Sequence, residues 1–261
     1  METEPRAIDI VVEARMRSSR LPGKVMLPAA GMPLLWHMIK RLKRIRKVRH
    51  IIVASTKDHA DHVIEDLSDE LEIPCVRGEE TDVLKRVLTT AEQFETEIIV
   101  EITGDNPLID PEVSSRVIEA FLEREDSIDY ASNDVGHHRD GIQLTFPHGF
   151  STKVFKTTTL AETEAVAGHP VDREHVVNYL VKNAKLSRLY DFRAEGVLRR
   201  PELRLTLDTP EDYCLIKGVY EGLYFRDRMF CAADVIKFLD ARPTLRDVNK
   251  QIVQQRYEYR D

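Results

Sequence analysis

Short β-branched runs at residues 8–12, 51–54, 74–77 and 98–102 alternate with helical segments through roughly the first 125 residues. Such spacing leaves room for crossover helices, which join parallel strands and cover both faces of a sheet. Helices are predicted at 58–71 and 82–94, and from residue 110 onward. Asp110 suits an N-cap there, and Pro111 the first helical position, where its missing N–H is no loss. Beyond residue 125 the rhythm changes. Runs at 128–132, 141–146 and 152–155 follow one another without long helices, which predicts antiparallel additions or an inserted lobe over about 128–200. Helices return near 159–166, 173–183, 210–224 and 232–239. No repeat or low-complexity linker divides the chain. The fold class is therefore α/β, a mostly parallel twisted sheet flanked by helices with a small inserted antiparallel lobe. The main domain is expected over 1–226, followed by a C-terminal helical extension at 227–261 whose polar end packs either on the domain or on a partner.

A net charge of -7 disfavours general nucleic-acid binding. No run approaches the ~20 apolar residues that span a bilayer, and the first stretch lacks the basic start and apolar core of a signal peptide. A cytoplasmic protein with no membrane partner is expected. Cys75, Cys214 and Cys231 are too far apart for a zinc knuckle and odd in number, against a disulfide framework. Residues 40–49 hold seven cations among ten positions. Leu35, Met38, Ile39, Leu42 and Ile45 recur through them at helical spacing, which puts the cations on a solvent-facing side, with polyanion contact as the alternative.

In open parallel sheets ligands bind outside the carboxyl ends of the strands. The loop after the first strand, Ala14-Arg15-Met16-Arg17-Ser18-Ser19-Arg20-Leu21-Pro22-Gly23-Lys24, packs four cations and two hydroxyls around a Pro-Gly turn. It can offer N–H groups, an Arg fork and a Lys charge to a polyphosphate, or be an ordinary basic turn. It has neither P-loop nor dinucleotide spacing. After the fourth strand, Thr103-Gly104-Asp105-Asn106-Pro107 sets a carboxylate where Gly104 permits close backbone approach. Asp105 suits a hard cation such as Mg²⁺, which takes one or two protein carboxylates, though turn formation alone also explains it. Asp208 follows the run at 203–207 and is either a second such ligand or, with Thr209, a cap for the helix starting at Pro210. His137, His138, His148, His169 and His175 fit no i, i+4 metal pair, so surface or acceptor-pocket roles are favoured over zinc.

Together with Arg77-Gly78, Leu108-Ile109-Asp110, Arg173-Glu174-His175-Val176 and Leu207-Asp208-Thr209-Pro210-Glu211-Asp212, these loops resemble the SpsF-like cytidylyltransferases of spore-coat polysaccharide type. That family belongs to the wider group of CMP-Kdo and CMP-sialic acid synthetases, and the similarity runs in order from about Ile8 to Tyr224. The resemblance implies a Rossmann-like nucleotidyltransferase fold and a homodimer. It also implies transfer of CMP from CTP to a small anionic or sugar-type acceptor, with release of pyrophosphate, in surface-polysaccharide or glycoconjugate synthesis. By match to the motifs, Arg20 and Lys24 hold the triphosphate, and Ala14, Arg15, Ser18, Thr103 and Gly104 border the nucleotide. Arg77 lies near the cytosine, while Asp105 and Asp208 hold Mg²⁺ from opposite sides. His175 becomes a helper if the acceptor is an un-ionised hydroxyl. Arg173 joins it on the acceptor side. One departure stands out: after Pro147-His148-Gly149-Phe150, where relatives carry Asp-x-Glu, this chain has Ser151-Thr152-Lys153. Lys153 is expected either to face a more anionic, even phosphorylated, acceptor or to point into solvent. A catalytically silent nucleotide-binding subunit and transfer to a non-sugar phosphate are the alternatives.

Overall fold

The computed structural model describes residues 6–185 and 188–254. Strand β1 (Ile8–Glu13) runs parallel to its neighbours on both sides, β4 (His50–Thr56) and β6 (Ile98–Thr103). It alternates its side chains between two layers. Ile8, Ile10 and Val12 join one core with α1 (Leu34–Leu42), α2 (His62–Glu70) and α4 (Pro111–Leu122), and Val11 joins the other with α3 (Val83–Gln93). A strand buried on both faces needs the near-continuous apolar run seen in the sequence. Asp9 is the exception and is fully buried, accepting from Arg49 and the Thr96 hydroxyl.

Beyond β4 lies β5 (Cys75–Gly78), also parallel. On the far side β8 (Lys153–Lys156) pairs antiparallel with β6, β7 (Tyr130–Ser132) antiparallel with β8, and β9 (Leu189–Asp191) parallel to β7. Among the described residues the sheet order is β5-β4-β1-β6-β8-β7-β9. The antiparallel strands expected between 128 and 200 thus continue the main sheet. A separate hairpin pairs β2 (Pro28–Ala29) with β3 (Met32–Pro33). Residues 141–146 form no strand; the Thr145 hydroxyl there accepts from the Ala194 N–H in place of a ladder bond.

The helix predicted over 173–183 is broken into α6 (Pro170–Glu174) and α7 (Asn178–Asn183), with His175 extended at φ -115°, ψ 90°. α5 (Thr157–Glu164) and α7 cover the same face as α3. A second cluster gathers Leu203, Leu205 and Leu207 with α8 (Pro210–Leu223) and α9 (Ala232–Asp240), and Leu245 of α10 (Pro243–Arg246) packs against it. No described helix is long and apolar enough to cross a membrane. Residues 255–261, the greater part of the polar C-terminal end, lie outside the described residues.

The basic run at 40–49 is mostly the solvated face that its spacing predicts, with Arg41 the exception. α1 ends at Leu42. Arg41 is buried, donating to the Ile109 and Phe230 carbonyls at 2.6 and 3.0 Å. Lys43 donates to the Leu71 carbonyl, Arg46 pairs with Glu112 and Glu119, and Arg49 pairs with Asp9. Lys43, Arg44, Arg46, Lys47 and Arg49 are nevertheless exposed.

Gly222 lies on α8 where a Cβ would stand 2.2 Å from Phe238 Cζ of α9. Gly222→Ala must push the ring or the helix aside. Overpacking of this kind costs about 1–3 kcal/mol, and denaturant unfolding of the variant is expected to show that loss.

Candidate active site

From β1 the chain steps outward to β4 and β5, then returns to β6 on the other side of β1. The loops leaving the carboxyl ends of β1 and β6 therefore diverge, and a crevice opens between them. A cleft of ≈ 620 Å³ lies there, lined among others by Ala14, Arg15, Ser18, Arg20, Lys24, Thr103, Gly104, Asp105 and Asp208. Gly104 is required by the closeness of the two loops. Its N–H donates to the Glu13 carbonyl at 2.8 Å, and a Cβ would stand 2.7 Å from that same oxygen.

The basic loop is held from below by Asp61, a buried carboxylate. One oxygen accepts from the Met16 N–H at 2.7 Å, and the other from the Ser55 hydroxyl and from the N–H and hydroxyl of Thr56. Gly23 closes the loop, donating to the Met16 carbonyl at 2.7 Å with φ 71°, a left-handed value that favours glycine. So anchored, Lys24 extends its ammonium between two carboxylates, 3.3 Å from Asp105 and 2.8 Å from Asp208. Arg20 reaches the same Asp208 oxygen at 3.2 Å. Burial favours neutral forms here, but the opposite charges outweigh it. Asp105 falls to about 2 under Lys24 and the Thr103 hydroxyl, and Lys24 is raised by its two carboxylates. Both groups stay charged at neutral pH.

The helix-cap role open to Asp208 in the sequence belongs to its neighbours. The Thr209 hydroxyl accepts from the Asp212 N–H while the Asp212 carboxylate accepts from the Thr209 N–H. Asp208 is left to face the cleft. Its segment is tied to the other carboxylate loop, since the Leu207 N–H and the Thr206 hydroxyl both donate to the Asp105 carbonyl.

The far wall is built from imidazoles. His137, His138, His148, His169 and His175 all line the cleft, and the His137 and His148 rings share a hydrogen bond of 2.7 Å. Burial drives His138 and His148 down to about 3 and His175 to about 4. These rings are uncharged at neutral pH. The break between α6 and α7 is what turns His175 into this wall. No group of three or more His, Cys, Asp or Glu among the described residues could hold a metal ion.

Three expectations need correction. Lys153 lines the cleft but neither points into solvent nor offers a free charge, because its buried ammonium donates to Glu101 at 2.7 Å. Arg173 is turned away, paired with Asp82 and Glu164. Arg77 is not among the lining residues; it donates to the Thr56 and Asp58 carbonyls and pairs with Glu65. In each case a carboxylate on another element captured the cation. The structure also brings in residues that sequence reasoning missed. Asp61 sits in a segment that reads as a helix start, so nothing local marks it. Arg204 had a usable signal: Leu203, Leu205 and Leu207 alternate into the core, which sends Arg204, Thr206 and Asp208 to the opposite side.

The sequence profile of the cytidylyltransferase family matches residues 10–231. The spore coat polysaccharide biosynthesis protein SpsF of Bacillus subtilis is 30% identical over 244 residues, 89% of this chain and 94% of its own. A cytidylyltransferase structure from Leptospira borgpetersenii superposes with a TM-score of 0.85 at 28% identity, covering 96% of this chain and 100% of that one. The structure of a CMP:2-keto-3-deoxy-manno-octonic acid synthetase complexed with CTP shares the fold, with a TM-score of 0.62 at 15% identity over 82% of this chain and 98% of that one.

The imidazole wall has a pH signature. The unfolded chain takes up protons near the ordinary histidine value of 6.5, whereas the folded rings resist until about 4 or 3. Stability is then fully present above pH 6.5 and lost as pH falls, by up to about 1.4 kcal/mol per pH unit for each such ring. Calorimetric melting is expected to show Tm declining from pH 6.5 to 4, with a shallower decline in His138→Gln.

Proposed function

This chain belongs to the cytidylyltransferase family and is a CTP-dependent nucleotidyltransferase, and on that premise we propose how its cleft divides between CTP and acceptor. The observation that carries the reading is Lys24, whose ammonium lies between Asp105 and Asp208 at the topological switch. A point that both carboxylates reach, with hard oxygen donors on either side, fits Mg²⁺, which takes few protein ligands and fills its remaining positions with water and phosphate oxygens. Asp105 and Asp208 would hold the ion, which supplies charge neutralisation to the phosphates when bound. Lys24 and Arg20 then exchange carboxylate for phosphate as partners, and Arg15 and Ser18 border the nucleotide. Placed on the β- and γ-phosphates, the two cations stabilise the charge of departing pyrophosphate. The acceptor oxygen forms its bond to the α-phosphorus as the bond to the β-phosphate oxygen breaks. No protein nucleophile is needed; positioning and charge supply the rate.

The acceptor belongs at the imidazole end. Neutral rings donate and accept hydrogen bonds, which suits the hydroxyls of a sugar, and Lys153 already has its counter-charge in Glu101. CMP transfer to a sugar-type acceptor accords with polysaccharide biosynthesis, the role in the name of the Bacillus subtilis relative. His175 is the ring we assign to an un-ionised acceptor hydroxyl as its hydrogen-bond partner, since burial holds the ring at about 4 and keeps it neutral.

Pyrophosphate release with each of the four NTPs, against acidic sugars, neutral sugars and small phosphates, tests this reading. Turnover is expected with CTP and Mg²⁺ and a hydroxyl-rich acceptor, falling at least ~100-fold in Asp105→Ala and Asp208→Asn. Turnover confined to a purine triphosphate, or undiminished in those variants, would overturn it.

A further inference from the structure

The family profile ends at residue 231, yet the chain beyond it returns to the cleft. Leu245 of α10 packs against α8 at Gly218, and the residues after it run back toward Asp208. Asn249 is 3% exposed. Its amide donates to the Arg204 carbonyl at 2.9 Å and to Asp212 Oδ1 at 2.8 Å. Gln254 lines the cleft and its side-chain oxygen accepts from the Arg204 guanidinium.

Arg204 and Asp212 are the groups that orient Asp208. The Arg204 guanidinium forks onto Asp212, from Nε to Oδ1 and from Nη2 to Oδ2, each at 3.0 Å, and Nη2 also donates to Asp208 Oδ2 at 3.1 Å. Asp212 Oδ2 accepts the Asp208 N–H at 3.0 Å. Asp208 is thus gripped by backbone and by one carboxylate oxygen, and its other oxygen is the one that meets Lys24 and Arg20.

We propose that the segment beyond the family match is part of the active site, with Asn249 and Gln254 acting as positioning residues that lock Arg204 and Asp212 around Asp208. A carboxylate left to choose its own rotamer presents either oxygen, or both, to the cleft. One whose second oxygen is tied presents a fixed donor, and metal affinity depends on such outer contacts as well as on the ligands themselves. Asp212 also saturates its own oxygens in this network, so loss of the Asn249 amide removes a donor from a buried carboxylate and frees Arg204 to shift.

This inference rests on the reading of Asp208 as a metal and phosphate site, and the test separates the two. Mn²⁺ binding to the CTP complex without acceptor, followed by electron paramagnetic resonance, is measured beside kcat and KM for native protein, Asn249→Ala and Gln254→Ala. Folding is checked by each variant's melting curve. In the folded Asn249→Ala variant, Mn²⁺ affinity and kcat are expected to fall together by about 10–100-fold, with KM for the acceptor unchanged. Gln254→Ala is expected to move the same two quantities in the same direction by a smaller factor. Native-like Mn²⁺ affinity and kcat in both variants would overturn the proposal. Should Asn249→Ala not fold, Gln254→Ala decides by those readouts alone. An inactive native protein under every acceptor tested would instead count against the functional reading.

Discussion

Asp105 and Asp208 come from loops far apart in the chain and are drawn to the same small volume, where two like charges repel strongly in a medium less polar than water. Lys24 resolves that repulsion by placing its ammonium between them, and much of the polar architecture follows from the need to keep the three together. Asp61 anchors the loop that carries Lys24. Gly104 lets the β6 loop close on β1, and Leu207 and Thr206 bind the Asp208 segment to the Asp105 carbonyl. Arg204 and Asp212 orient Asp208 from behind. The triad is thus a balance of opposing charges supplied by three separate segments of the chain.

The two ends of the cleft differ in electrostatic character. At the β1 loop, Arg15, Arg17, Arg20 and Lys24 line the cleft, each paired with carboxylates. At the opposite wall His138, His148 and His175 are kept neutral by burial, and Lys153 is compensated by Glu101 and by Asp134, which is itself held at about 2. Glu13, between the two ends, is pushed up by burial and by the nearby Glu101. The proposed placing of CTP at the first end and a hydroxyl-rich acceptor at the second rests on this difference.

Much of the site could be read along the chain because it lies in continuous stretches at strand ends. The basic loop at 14–24 and the Thr103-Gly104-Asp105 turn follow directly from buried strands, and the parallel sheet was legible in four β-branched runs, since burial on both faces demands them. Less legible were contacts whose partners are remote. Helical spacing put the cations of residues 40–49 in solvent, but Arg41 is drawn inward by the Ile109 and Phe230 carbonyls. A continuous helix over 173–183 was expected from its pattern, while the fold breaks it at His175.

The sequence by itself determined the α/β class, the basic loop after the first strand and the two candidate carboxylates, because apolar periodicity, loop composition and strand-end position are local properties. Only the tertiary structure decided which charges remain available. Lys153, Arg173 and Arg77 look alike in a sequence as candidate ligand cations, and each is claimed by a carboxylate or carbonyl that another element supplies. The five histidines become one wall because separate segments carry them to the same cleft. Charge capture falls off steeply with distance and depends on burial, and neither quantity is written in the order of residues.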